Sequence, residues 1–287
     1  MKSKILVIGG TGTVGSEVVN KFKKDGVVFT VLTRSEEKKK SLEVRGISAV
    51  VGTLGEKSQI DAVLKDFSAI FLATSPAENM LDLHKELIDL AVKNEIKKIV
   101  RLSAEPTHYH KGLYMYEQHN EADNYLKESG IDYVILKPHY FIQNMMMHIP
   151  TIKTQNMFAQ YSGGAKIPFI DVRDIAKVAS ISFNNDDYNG EELTLTGPKA
   201  IGYSDIAKIL ATLLNKDINY MDLSFEVQEE GFRSYGLPDW QLNTVMSVFK
   251  KWEEKGVNQP KNDLEEVLGI EPISAEKYFT DFLEIYK

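Results

Sequence analysis

Cysteine is absent from all 287 residues. Disulfides and thiol chemistry are therefore excluded, and residue usage gives no reason to look outside the cytoplasm. No apolar run is long enough to span a bilayer, and the chain enters its first apolar strand directly. A cytoplasmic protein without membrane association is expected. A basic excess is missing too: 34 Lys and Arg stand against 41 Asp and Glu, a formal net charge of −7. A mildly acidic surface argues against broad binding to nucleic acid. There is no internal repeat, coiled-coil heptad or low-complexity tract. The length allows one large domain, or one domain with a smaller lobe.

What is present is concentrated at the start. Residues 4–15 read KILVIGGTGTVG. The run Ile5, Leu6, Val7, Ile8 has the continuous apolar character of a strand buried on both faces of a parallel sheet. Gly9, Gly12 and Gly15 follow at three-residue spacing, with Val14, Val18 and Phe22 at helical spacing behind them. A strand that turns through glycines into a helix lets a pyrophosphate approach the first helical N–H groups. This is the mechanism of a dinucleotide fingerprint. It nominates Gly9, Thr11, Gly12, Thr13, Val14 and Gly15 as cofactor contacts.

Five further strand-like runs alternate with helical patterns, at residues 27–33, 47–51, 69–73, 98–102 and 131–137. Together they predict an α/β fold with a doubly wound parallel sheet. The residue just past the second strand is Arg34, where an NAD-selective site carries Asp or Glu for the ribose 2′-hydroxyl. A guanidinium there can pair with a 2′-phosphate, so NADP(H) is expected in preference to NAD(H). Lys38, Lys39 and Lys40 add positive potential, although a solvated helix face accounts for at least two of them. Thr53 follows the third strand, so an acidic contact to adenine is in doubt there. Ala73, Thr74 and Ser75 leave the fourth strand beside the point where strand order should reverse, and are expected to line the cofactor cleft. His108 and His110 lie in a polar, aromatic loop; no third ligand is evident, so no metal site is expected.

Beyond Pro138 the pattern loosens. Residues 1–150 read as the nucleotide-binding core and 151–287 as a smaller, mainly helical lobe, with 165–200 returning to the sheet. Within this half we expect a strand at 167–170, a helix from 172, and a helix capped by Ser204. The aromatic and methionine-rich stretch of Tyr140, Phe141, Met145, Met146 and Met147 could form a soft wall for a flat substrate, or plain core packing.

The chain resembles the NmrA-like group of atypical short-chain dehydrogenases. The resemblance rests on GGTGTVG, on Arg34 after the second strand, on YVILKPHYFIQNM and on IPFIDVRDIAKVA, and it spans nearly the whole chain. It implies a Rossmann-type fold with a small substrate lobe and bound NADP(H). Members of the group include quinone and dye reductases and proteins that sense the cofactor without turnover. Enzymes of the wider class work through Tyr-x-x-x-Lys on the long helix after strand five. Alignment puts Met115 at the Tyr position and His119 at the Lys position, with Tyr114 and Tyr116 about 100° away around the helix. Tyr133 and Lys137 have the spacing but fall on a predicted strand, where side chains four apart stand about 13 Å from each other.

The usual proton donor is therefore absent. The resemblance places Ser103, His119, Pro138, His139, Tyr140 and Phe141 about the nicotinamide, with Ser103, His119 and Tyr140 as the catalytic candidates. Gln143 and Asn144 stand where relatives carry Glu-Asn. The leading expectation is an NADPH-dependent reductase passing hydride to a flat acceptor, such as a quinone or dye, that needs little acid help. A non-catalytic NADP(H) sensor is the alternative. A nucleotide-sugar epimerase using a displaced tyrosine is the second. A monomer or a homodimer fits either.

Overall fold

The computed structural model describes residues 4–105, 112–256, 258–261, 263–269 and 271–287. The loop histidines His108 and His110, with Tyr109, lie outside the described residues. The chain divides into two compact units. The first comprises Met1–Pro106, Tyr116–Pro138 and Val172–Thr194, and the second Thr107–Met115, His139–Asp171 and Leu195–Lys287.

In chain order, the elements that open the first unit are β1 (Ile5–Ile8), α1 (Thr13–Asp25), β2 (Phe29–Thr33), α2 (Glu36–Val44), β3 (Ala49–Val51), α3 (Lys57–Leu64) and β4 (Ala69–Leu72). They continue with α4 (Met80–Lys93), β5 (Lys98–Leu102), α5 (Tyr114–Glu128) and β6 (Asp132–Pro138). After α6 (Ile149–Gln155) and β7 (Met157–Gln160), the chain returns through α7 (Val172–Asn184) to β8 (Glu191–Leu195). The sheet order is β3-β2-β1-β4-β5-β6-β8. The pairings from β3 through to β6 are all parallel. Strand order reverses between β1 and β4, whose register pairs Ile8 with Leu72.

The continuous apolar runs are explained by burial on both faces. Leu6, Ile8, Ile70 and Leu72 join Ile60 and Leu64 of α3 and Leu87 and Ile88 of α4 in one cluster. Because side chains alternate along a strand, Val7 points the other way. There α1 buries Val14, Val18 and Phe22, and Phe22 meets Phe183 of α7 with ring centroids 5.7 Å apart. Helices on both faces of a mostly parallel sheet make this a doubly wound Rossmann-type fold.

The second unit is dominated by helices: α6, α8 (Tyr203–Leu214), α9 (Phe225–Ser234), α10 (Asp239–Lys255), α11 (Asp263–Leu268), α12 (Ala275–Asp281) and α13 (Leu283–Tyr286). Its only sheet among the described residues pairs β7 with β9 (Asn219–Asp222) in parallel. Two expectations are corrected here. Residues 167–170 form no strand: Ile167 bridges Ile201 and Ile170 bridges Phe141, and Pro168 between them has no N–H to give a ladder. Ser204 does not cap α8. The N-cap is Gly202, whose amide donates to the Asp205 carboxylate at 3.1 Å.

Candidate functional site

The glycine bend is packed to the limit of a chain without side chains. Gly9 has φ +81°, and a Cβ there would overlap the carbonyl oxygen of Ala73 at the end of β4. A Cβ on Gly15 would overlap the Gly9 carbonyl oxygen. These approaches bring the carboxyl ends of β1 and β4 together. At Gly12 the situation reverses: a Cβ would meet nothing closer than the Gly9 oxygen at 3.5 Å. Gly12 is the N-cap of α1, no side chain caps that helix, and its first turn has no acidic residue. Among the described residues no side chain competes with an anion for those amides, so the residues present fit a pyrophosphate.

Beside this bend, at the end of β2, Arg34 is exposed and has no ion-pair or hydrogen-bond partner among the described residues. Behind it, Ser35 caps α2 by accepting from the Lys38 amide at 3.2 Å. Of the three lysines, Lys39 pairs loosely with Glu36 at 3.8 Å. The Thr33 hydroxyl is buried with no hydrogen-bond partner, as is the Gln118 amide nitrogen on α5. Unpartnered buried polar atoms are uncommon in a folded chain. Both are consistent with a ligand that completes them.

A chain of charged and polar side chains then crosses the interior of the first unit. Thr74, just past β4, shares a 2.9 Å hydrogen bond with His84 Nε2 on α4. His84 Nδ1 lies 3.4 Å from both Nε and Nη2 of Arg101 on β5. Arg101 is fully buried. Its Nη2 also reaches His119 Nδ1 on α5 at 3.2 Å, and its Nη1 pairs with Asp123, likewise on α5. The second Asp123 oxygen accepts the Ser103 hydroxyl proton at 2.7 Å and lies 3.7 Å from Lys137 Nζ on β6. Lys137 pairs with Glu192 on β8, which also pairs with Lys127.

The electrostatics follow from this enclosure. Burial, and secondly the Arg101 charge, lower the His119 pKa to about 3. Burial, then Arg101 and His119, hold His84 well below its ordinary value. Both rings are neutral at physiological pH. Ser103 is buried, and its proton is committed to Asp123.

The remaining predicted contacts are placed as follows. Ala73 is buried with its amide bonded to the Ile8 carbonyl at 3.1 Å, and Ser75 is exposed. Pro138 is buried at the end of β6, and Tyr133 and Lys137 lie on that strand as expected. Tyr140 and Phe141 belong to the second unit, and both are half-buried. The Tyr140 ring packs against Trp252 at 5.2 Å and against Phe169 and Phe249 at 6.0 Å each. Burial pushes its pKa up to about 12, against hydrogen bonds with Asn144 and Tyr203 that pull it down. Gln143 donates to the buried Asp171 carboxylate at 2.9 Å. Met145 is buried, whereas Met146 and Met147 are exposed. Tyr114 is exposed and Tyr116 half-buried. No cluster of three or more metal-ligating side chains occurs among the described residues.

Sequence reasoning missed Arg101, Asp123, His84 and Glu192. A signal existed for two of them. Arg101 interrupts a strand that must be buried on both faces, and His84 falls on the apolar stripe of α4 with Met80, Leu87, Ile88 and Ala91.

Known proteins share this architecture. An NADPH-dependent quinone oxidoreductase from Escherichia coli, solved with NADPH, superposes with a TM-score of 0.84, covering 97% of this chain and 99% of its own at 21% identity. The triphenylmethane reductase of Citrobacter sp., solved with NADP(H), gives 0.84 at 14% identity over 97% and 99% of the two chains. In sequence, the NAD(P)H azoreductase of Xenophilus azovorans is 27% identical over 245 residues, 85% of this chain and 86% of that protein. The pattern of the NmrA-like family runs through residues 1–285, and with the fold and the glycine bend in agreement, the chain belongs to that family.

Proposed function

We propose that this chain is an NAD(P)H-dependent reductase that prefers NADP(H) and delivers hydride to a flat, quinone-like or aromatic acceptor. One observation carries the reading: an uncapped helix start at an open glycine bend stands next to an exposed guanidinium that has no partner among the described residues. Gly9, Thr11, Gly12, Thr13, Val14 and Gly15 would hold the pyrophosphate, and Arg34 the 2′-phosphate. Ala73, Thr74, Ser75 and Pro138 would flank the cofactor, with Ser103 and His119 nearer the reacting end. When bound, the reduced nicotinamide supplies the hydride.

The protein's own groups then orient rather than titrate. The Ser103 hydroxyl donates its hydrogen bond to Asp123 and can only accept from a ligand. His119, with a pKa of about 3, cannot act as an acid near neutrality. Tyr140, at about 12, is a weaker acid than free tyrosine. A site without a tuned proton donor suits acceptors whose reduced form is already stabilised by delocalisation, with water completing protonation. The relatives named for azo, quinone and triphenylmethane reduction fit the same acceptor class. Turnover of NADPH with a panel of quinones, azo dyes and triphenylmethane dyes, followed as loss of nicotinamide absorbance, tests the proposal. Oxidation with any of them is expected. The Arg34→Ala variant should weaken NADPH by about tenfold to a hundredfold, the worth of a hydrogen bond to a charged group, and NADH far less. Equal loss for both would remove the 2′-phosphate assignment.

The same lack of a tuned acid favours a second reading, a sensor that binds NADP(H) without turnover. Tight NADPH binding with no oxidation across the panel would select it. A sensor must also bind one redox form much more tightly than the other.

A further inference from the structure

We infer that Arg101 is a positioning residue: anchored by Asp123, its guanidinium fixes His84 and His119 in the tautomer protonated at Nε2, so that each imidazole presents that nitrogen as a donor only.

A guanidinium carries five N–H groups and no lone pair. Any ring nitrogen within bonding distance of it must accept. His84 Nδ1 at 3.4 Å and His119 Nδ1 at 3.2 Å are therefore the bare nitrogens, and both protons sit on Nε2. His84 spends its proton on Thr74 Oγ1, which frees the Thr74 hydroxyl proton for another acceptor. His119 Nε2 has no partner among the described residues. The arrangement is held from several elements: His84 from α4, Arg101 from β5, His119 and Asp123 from α5, Lys137 from β6 and Glu192 from β8. Asp123 anchors Arg101 from one side and receives Ser103 on the other, so the guanidinium cannot rotate away without abandoning a buried carboxylate. Protonating either ring would set a second cation against Arg101.

The consequence is a choice of ligand chemistry. Thr74 and His119 offer hydrogen-bond protons, so the group that meets them must be an oxygen acceptor, such as a ribose hydroxyl or a phosphate. A protonated amine is rejected. That the acceptor is a nicotinamide ribose rests on the reductase reading; the tautomers do not.

The test is imidazole nitrogen spectroscopy on the full chain, labelled at its six histidines. Signals are assigned with His84→Gln and His119→Gln variants. Protonated Nε2 and bare Nδ1 are expected for both residues from about pH 5.5 to 8, a range spanning the ordinary histidine pKa. A protonated Nδ1, or an imidazolium near neutrality, would overturn the inference. Arg101→Lys keeps a charge opposite Asp123 but replaces a planar fork with a point donor. It should release at least one ring into mixed tautomers and raise the KM for NADPH about tenfold, more than it lowers kcat. A fall in kcat at unchanged KM would count against the positioning role. If that variant does not fold, the unaltered protein's spectrum decides alone. Fixed Nε2 protons in a protein that binds no NADPH would support the positioning and remove only the reductase reading. His119→Gln, which keeps an N–H donor, should bind NADPH about tenfold more tightly than His119→Phe; equal affinities would overturn the donor role.

Discussion

In the first unit, His84, Arg101, Asp123 and Lys137 are buried side by side, each bonded to the next in that order. In the second, Tyr140, Phe169, Tyr203, Phe158 and Tyr220 meet ring to ring, with centroid separations of 5.4–6.3 Å. Both interiors hold polar atoms, but the bonded run in the first carries formal charges, whereas the ring cluster in the second carries hydroxyls. Buried charges contribute little net stability compared with apolar groups of the same size, yet removing one partner is severe. Aromatic packing stabilises by area and is forgiving of a single lost hydroxyl. The first unit thus spends stability on fixed donor directions, and the second is organised for cohesion.

The sharpest way to break this contrast is Asp123→Leu. It strands the Arg101 charge and should cost about 3–5 kcal/mol by urea denaturation. Adding Arg101→Met to that variant should recover most of the loss while the His119 tautomer is released. If the double variant stays as unstable as the single, the charges are cohesive after all and the distinction fails.

Acid provides the next test. A histidine held neutral in the folded chain takes up a proton on unfolding, so below its ordinary pKa of 6.5 the unfolded chain binds more protons. Its contribution is complete above that pH and is lost as pH falls toward about 3 for His119 and about 4 for His148 in the second unit. The first unit holds two such rings in contact with Arg101, whereas His148 is lowered by burial alone. Native-state hydrogen exchange at pH 7 and pH 5 should show the β5 amides losing more protection than those of α6. Equal losses would place the acid sensitivity elsewhere. The smallest expected effect is Tyr140→Phe, about 1 kcal/mol, because only the hydroxyl bonds to Asn144 and Tyr203 are lost. A loss of several kcal/mol would mean that the second unit also depends on directed polar contacts.

Most of the fold is readable from patterns that depend on neighbours in sequence. The uninterrupted apolar runs of β1 and β4 mark two-sided burial, and the glycine spacing marks the bend. The place of Arg34, just past β2, is legible because it depends only on its offset from that bend. The buried chain is not legible in the same way. Arg101 and Asp123 stand 22 positions apart, and their pairing depends on β5 and α5 being packed together. Pro168 is the local sign that Ile167 and Ile170 make isolated bridges, and the flanking β-branched residues obscure it. Asp205 was the sign that α8 begins at Gly202 rather than at Ser204.

Arg34 is exposed, and no hydrogen bond or ion pair ties it to another described side chain. On the proposed reading, any discrimination it confers between phosphorylated and unphosphorylated dinucleotides is therefore free to drift. One codon could retune coenzyme choice while leaving the melting temperature where it was. Gly9 and Gly15 allow no such freedom, so divergence among relatives should accumulate at the tip of β2 and spare those two positions of the turn beside it.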